Sequence, residues 1–197
     1  MPFLCGVKMK DVQECAKYYK TLMRKDYIFT LENGVVFKIF FKPSNFFHLI
    51  GLHKLKDVRQ LTNHHNSLDN IYKDILTGRI SVQTIEKSVF YSQIKDRVEY
   101  FEKITDMLDK HKSKIIIDFD PELIEGTELK NTEYILYRHL NSEYANLTIG
   151  KKNGNTYPET FFAEDSKRYI SEQTLLDIVN IEVIEVGNGS RHTREGT

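Results

Sequence analysis

The chain has 197 residues, enough for one sizeable hydrophobic core and few for two. Hydrophobic residues make up 40% and charged residues 28%, which excludes a disordered chain. The formal net charge of zero excludes a uniformly basic nucleic-acid binder, but the charge is unevenly placed. Residues 1–60 carry 11 Lys/Arg against 5 Asp/Glu, residues 61–113 carry 8 against 8, and residues 114–197 carry 9 against 15. A polyanion could meet the first third, or the two ends could pack together and neutralise each other.

No apolar run approaches the roughly 18 residues of a membrane-spanning helix. The start, MPFLCGVKMKDVQ, lacks the pattern of a secretory signal. Cys5 and Cys15 are too few for a disulfide framework or a zinc site. A reducing, cytoplasmic setting without membrane contact is expected.

Val12, Cys15, Ala16, Tyr19 and Leu22 recur at helical spacing, so residues 9–23 are expected to form a helix. YIFTLE (27–32) and VVFKIFF (35–41) flank Asn33-Gly34, which predicts a hairpin with a type I′ turn. Pro43 should end the second strand. From 46 to about 112 the chain reads as mostly helical, with short helices at Leu52–Leu61, Leu68–Leu76 and 82–89. A longer amphipathic helix is expected from Ser92 to about 111, its stripe made by Ile94, Val98, Phe101, Thr105 and Leu108. Beyond 113, strands are expected at 114–120, 133–140, 144–150, 157–164 and 181–186, with turns at Asn141-Ser142 and Asn153-Gly154. Ser171–Val179 reads as a short helix. Segregated helices and strands predict an α+β fold: an N-terminal helix and hairpin, a helical middle, and a C-terminal antiparallel meander packed on the helices. One domain over 1–186 and a flexible polar tail over 187–197 complete the expectation.

Phosphate-loop, dinucleotide and hydrolase-elbow motifs are absent, as are HExxH and CxxC. His64-His65 would point about 100° apart on a helix, a poor chelate. Asp118 and Asp120 share a strand face and could hold Mg²⁺, but spacing fixes no third ligand, and a solvated strand end is the simpler account. Neither a metal nor any other cofactor is expected.

The stretch with most chemistry is FFHLIGLHKL, residues 46–55. His48 sits in an apolar run, which favours a structural role, whereas His53 and Lys54 follow the break at Gly51. Imidazole suits proton transfer near neutral pH, and lysine can hold a phosphate or developing negative charge. Such groups suit cleavage of RNA without a metal, one imidazole taking the proton of the ribose 2′-hydroxyl.

FFHLIGLHKLKDV (46–58) after a short hairpin, with YPETFFAED (157–165) late in an antiparallel meander, resembles the fourth phage-associated family of barnase–EndoU–colicin–RelE-like nucleases. The resemblance covers roughly residues 10–186. It implies helices packed on an antiparallel sheet, metal-independent RNA cleavage leaving a 2′,3′-cyclic phosphate, and a phage, mobile-element or toxin setting. On matching positions it implies His53, His48, Lys54, Thr160 and Glu159 as catalytic candidates. Arg138, His139 and Lys151 are candidates for substrate contact. Strand alternation implies that only one of Glu159 and Thr160 can face the site.

Two other functions compete. One is a non-catalytic binding or inhibitor protein of a phage or mobile element, with an antitoxin or host protein as partner in place of RNA. The other is a small-molecule pocket lined by Phe40, Phe41, Phe46, Phe47 and Phe161.

Overall fold

The computed structural model describes residues 11–63 and 65–186. Cys5, His64 and the polar tail lie outside the described residues.

Helix α1 (Val12–Leu22) begins where Asp11 accepts a hydrogen bond from the Glu14 amide at 2.8 Å. Its buried stripe is Val12, Cys15, Ala16, Tyr19 and Leu22, the set the spacing predicts. Strands β1 (Lys25–Leu31) and β2 (Val36–Phe40) form the expected hairpin. Its turn differs from the predicted type. Gly34 has φ +83°, while Asn33 is not left-handed, and the Gly34 amide donates to Leu31 O at 3.0 Å. The loop therefore has three residues, with glycine in the left-handed position. The turn with two left-handed residues occurs instead at Asn153 (φ 50°) and Gly154 (φ 78°).

Helix α2 (Pro43–Leu49) starts on proline, which suits a first helical position, and its entry is tied by the Lys42 amide donating to Asn45 Oδ1 at 2.8 Å. The predicted helix over Leu52–Leu61 is instead a 3-10 turn at Leu52–Lys54 and the four-residue α3 (Arg59–Thr62). Helices α4 (Leu68–Leu76) and α5 (Val82–Glu86) carry serine N-caps, Ser67 and Ser81. The long helix expected from 92 to 111 is broken into a 3-10 turn at Tyr91–Gln93, α6 (Lys95–Glu99) and α7 (Lys103–Met107). Ile94, Val98, Phe101 and Leu108 of its stripe are nevertheless buried, because short helices on successive bends present them to the core, while Thr105 is exposed.

The remaining strands are β3 (Ile115–Asp118), β4 (Thr132–His139), β5 (Tyr144–Lys152), β6 (Asn155–Glu164) and β7 (Thr174–Glu185). All seven strands form one antiparallel sheet in the order β2-β1-β7-β3-β4-β5-β6. Two expectations are corrected by this order. Residues 174–179 are strand, not helix, because Thr174–Asp177 pair with β3 and Ile178 with Leu31 of β1. The C-terminal strands are not a separate meander either, since β7 inserts between β1 and β3 and draws the N-terminal hairpin into the sheet. The sheet curls nearly into a barrel: Thr156 of β6 donates to Lys38 O of β2 at 2.6 Å, and Phe37 of β2 stacks on Tyr134 of β4 at 4.8 Å. The basic front and acidic back thus pack together, and Lys25 pairs with Glu185 at 3.5 Å.

The core lies between this sheet and the helices. Tyr19, Phe41, Phe46, Tyr72, Phe101 and Phe161 form a connected aromatic cluster at its centre. Phe41, Phe46 and Phe161 are fully buried there and Phe47 is nearly so, which removes the predicted aromatic pocket. A smaller cluster of Ile117, Phe119, Ile124 and Ile135 lies under the 119–131 segment.

Candidate active site

Helix α2, the turn that follows it, α6 and β6 meet around a cleft of about 680 Å³. Its walls include His48, His53, Lys54, Arg97, Tyr157, Glu159 and Thr160, with Glu128 and Arg168 from two loops.

The apolar run around His48 does not bury it. Phe46, Leu49 and Ile50 turn to the core, while His48 lies on the opposite, exposed face of α2. Gly51 reverses the chain with φ +85°, and the 3-10 turn carries His53 back beside His48, ring centroids 5.4 Å apart. The expectation of a structural His48 is corrected by this geometry.

Beneath the reversal runs Arg97 of α6, only 7% exposed. Its Nη1 donates to Thr160 Oγ1 at 2.7 Å and, more weakly, to His48 O at 3.4 Å. Thr160 Oγ1 in turn donates to His48 O at 3.5 Å. No carboxylate pairs with Arg97 among the described residues. Burial alone brings its pKa down to about 10, still charged at neutral pH.

Both Glu159 and Thr160 line the cleft, against the expectation from strand alternation. The cause is a bulge in β6. Leu147 pairs with Phe161 and Ile149 with Pro158, so Glu159 and Thr160 together oppose Thr148. The extra residue switches the facing set from Tyr157 and Glu159 to Thr160, Phe162 and Glu164, all of them cleft residues. Thr148, fully buried, locks the bulge: its Oγ1 accepts from the Thr160 amide at 3.1 Å and donates to Thr160 O at 3.4 Å. Glu159 Oε2 accepts from Thr132 Oγ1 at 2.6 Å. Tyr157 lies across β5 where residue 150 is glycine; a Cβ there would stand 2.6 Å from Tyr157 Cζ.

The electrostatics favour neutral imidazoles. Both rings open to the cleft mouth, yet its walls displace water from around them. For His53 that desolvation, with the positive charges of Arg97 and Lys54 and the neighbouring His48, lowers the pKa to about 4 despite a hydrogen bond to the Phe47 backbone. His48 is lowered by desolvation, and Glu159 opposes the shift. Lys54 is lowered by desolvation and by Arg97, against a smaller opposite pull from Glu128.

The other sequence candidates lie elsewhere. Arg138 donates to Lys112 O at 3.4 Å, His139 packs on Tyr144 at 4.8 Å, and Lys151 pairs with Glu133 at 2.7 Å; none of the three lines the cleft. Asp120 accepts from the Glu122 amide at 2.9 Å and so caps a short 3-10 turn. Among the described residues, no group of three or more His, Cys, Asp or Glu could hold a metal ion.

Arg97 is the cleft residue that the sequence concealed. It stands between Ile94 and Val98 at the margin of an apolar stripe, where an arginine normally reads as solvated. Only the Gly51 turn passing over it gives it a site role.

The antiparallel sheet bends almost into a barrel, and the cleft beside β6 gathers the paired imidazoles with Lys54, Arg97 and Arg168. A family model described as phage-Barnase-EndoU-ColicinE5/D-RelE like nuclease4 matches residues 11–181, and the chain belongs to that family. No curated protein and no solved structure matches it. None of the described helices is long and apolar enough to cross a membrane.

Proposed function

We propose that the protein is a metal-independent endoribonuclease that cleaves by general acid–base chemistry and leaves a 2′,3′-cyclic phosphate. The observation that carries this is the convergence of His48 and His53, ring centroids 5.4 Å apart, beside the buried Arg97. His53, neutral at physiological pH, takes the proton of the ribose 2′-hydroxyl as that oxygen attacks phosphorus. The bond to the 5′-oxygen breaks as the cyclic phosphate closes, and the leaving oxygen takes a proton from His48. Desolvation lowers the pKa of His48 in the free cleft, so its acid role draws on the opposing pull of Glu159 and on the negative charge of a bound phosphodiester, which favours the protonated ring. Arg97 and Lys54 stabilise the charge on the phosphoryl oxygens, and Thr160 holds the guanidinium in place through its 2.7 Å hydrogen bond.

The test is incubation of the purified protein with end-labelled RNA in the presence of a chelator. Fragments ending in 2′,3′-cyclic phosphate are expected, and His53→Ala should slow their appearance by about 10²- to 10⁴-fold with thermal stability retained. An absolute need for a divalent metal, or full activity in His53→Ala, would overturn the mechanism. An inert protein would favour the competing role of a binding or inhibitor protein.

A further inference from the structure

The cleft extends past its histidines to a second group of residues that the cleavage chemistry does not use. After β6 the chain turns through residues 165–173. There the Arg168 guanidinium lies over the Tyr169 ring, 5.4 Å from its centroid, and Nη2 donates to Glu125 O at 2.7 Å. The Tyr169 ring is braced in turn by Phe162 at 5.2 Å and Phe119 at 6.4 Å. Arg168, Tyr169 and Phe162 all line the same cleft as His48 and His53.

This group is held rigidly. The Gln173 side chain clamps the backbone of the facing segment, accepting from the Asp120 amide at 2.8 Å and donating to Asp120 O at 3.1 Å. The Ile170 and Ser171 amides both donate to Lys167 O, which closes the turn that presents Arg168. Glu172 takes a left-handed φ of 66°, a conformation that a non-glycine residue keeps only where its surroundings impose it.

An exposed arginine usually samples many rotamers. Here one nitrogen is tethered and the cation lies over an aromatic ring, which restricts the guanidinium before any ligand arrives. A planar cation backed by an aromatic ring is a surface on which nucleobases stack, and bases that stack this way must be out of a duplex. It shares one cleft with the groups that would surround the reacting phosphate. Phe162, which braces Tyr169, lies two residues along β6 from Thr160, about 7 Å at strand rise.

We propose that Arg168, supported by Tyr169, is a stacking platform for an unpaired nucleobase next to the scissile phosphate, and that the substrate is therefore single-stranded RNA. This rests on the assignment of the cleft to RNA cleavage.

The experiment uses a single-stranded oligodeoxynucleotide carrying one 2-aminopurine. It lacks the 2′-hydroxyl and cannot be cleaved by the proposed route. Binding should quench the 2-aminopurine fluorescence, and the matching duplex should bind without quenching. Arg168→Ala and Tyr169→Ala should weaken binding by about tenfold and abolish the quench. Arg168→Lys should do nearly the same, because it keeps the charge and loses the plane. Arg168 is exposed, so its variants should fold, and a melting curve checks them together with Tyr169→Ala, whose ring packs on Phe119 and Phe162. Wild-type quenching in Arg168→Ala, or wild-type affinity and quenching in Arg168→Lys, would overturn the platform. The two proposals separate cleanly. RNA cleavage without Arg168-dependent quenching removes the platform and leaves the cleavage. Arg168-dependent quenching in a protein that cleaves no RNA removes the cleavage, and with it the scissile phosphate, and leaves Arg168 as a stacking site for unpaired bases.

Discussion

Gly51 and Arg97 are in such close approach that a Cβ on residue 51 would stand 2.9 Å from Arg97 Cδ and 3.1 Å from Arg97 Nε. The glycine does two things at once. Its φ of +85° turns the chain so that His53 returns beside His48, and its missing side chain leaves the passage through which Arg97 reaches Thr160.

Gly51→Ala should therefore harm both stability and function. The left-handed backbone costs about 1–3 kcal/mol for a residue with a Cβ, and the displaced Arg97 adds to that. Chemical denaturation should show the lower stability. The RNA assay should show a loss larger than the unfolded fraction accounts for.

Arg97→Met should separate activity from stability. An arginine that is 7% exposed, with no carboxylate partner among the described residues, sits in the fold at a desolvation cost. An apolar side chain of similar length removes that cost, so the melting temperature should hold or rise. Cleavage should fall by about 10²- to 10³-fold, the loss typical of removing one preorganised charge-stabilising group. A variant that loses stability and keeps its activity would refute the role given to Arg97.

The pH dependence follows from His53. Its pKa in the fold is about 4, below the ordinary imidazole value of 6.5. Between these values the unfolded chain holds a proton that the folded chain does not, so folding stability rises with pH there. His53 contributes no penalty above pH 6.5, and stability is lost as pH falls through the window toward 4; the lowered His48 acts in the same direction. Proton NMR should find the His53 titration midpoint well below 6.5. Urea unfolding across this range should show a slope that His53→Asn reduces.

Thr148→Val tests the bulge. The Thr148 hydroxyl is the acceptor for the Thr160 amide, and valine keeps the shape without it. A buried amide left without a partner costs about 1–3 kcal/mol. The same change frees Thr160 to move and loosens its hold on Arg97, so cleavage should fall as well. Stability reduced with kcat unchanged would show that the bulge serves the fold alone.

The local elements that the sequence discloses are those whose cause is local. The α1 stripe, the first hairpin, the turn at Asn153-Gly154 and the reversal at Gly51 each follow from side-chain periodicity or from a glycine where φ must be positive. The nuclease-like resemblance belongs with them, because the two motifs that carry it, residues 46–58 and 157–165, are contiguous stretches.

Other features depend on partners distant in sequence. Residues 174–179 carry Leu175, Leu176, Ile178 and Val179, a pattern a helix could bury equally well, and pairing with β3 and β1 decides for a strand. One irregular pairing against Thr148 overrides alternation and turns both Glu159 and Thr160 to the cleft. The FFHLIGLHKL stretch by itself determined that two imidazoles and a lysine would lie near a glycine turn. Only the tertiary structure decided that His48 faces outward and that Arg97, some 45 residues on, completes the group. The physical reason is that side-chain periodicity and backbone φ are properties of neighbouring residues, whereas burial, desolvation and hydrogen-bond partnership are properties of what the chain folds against.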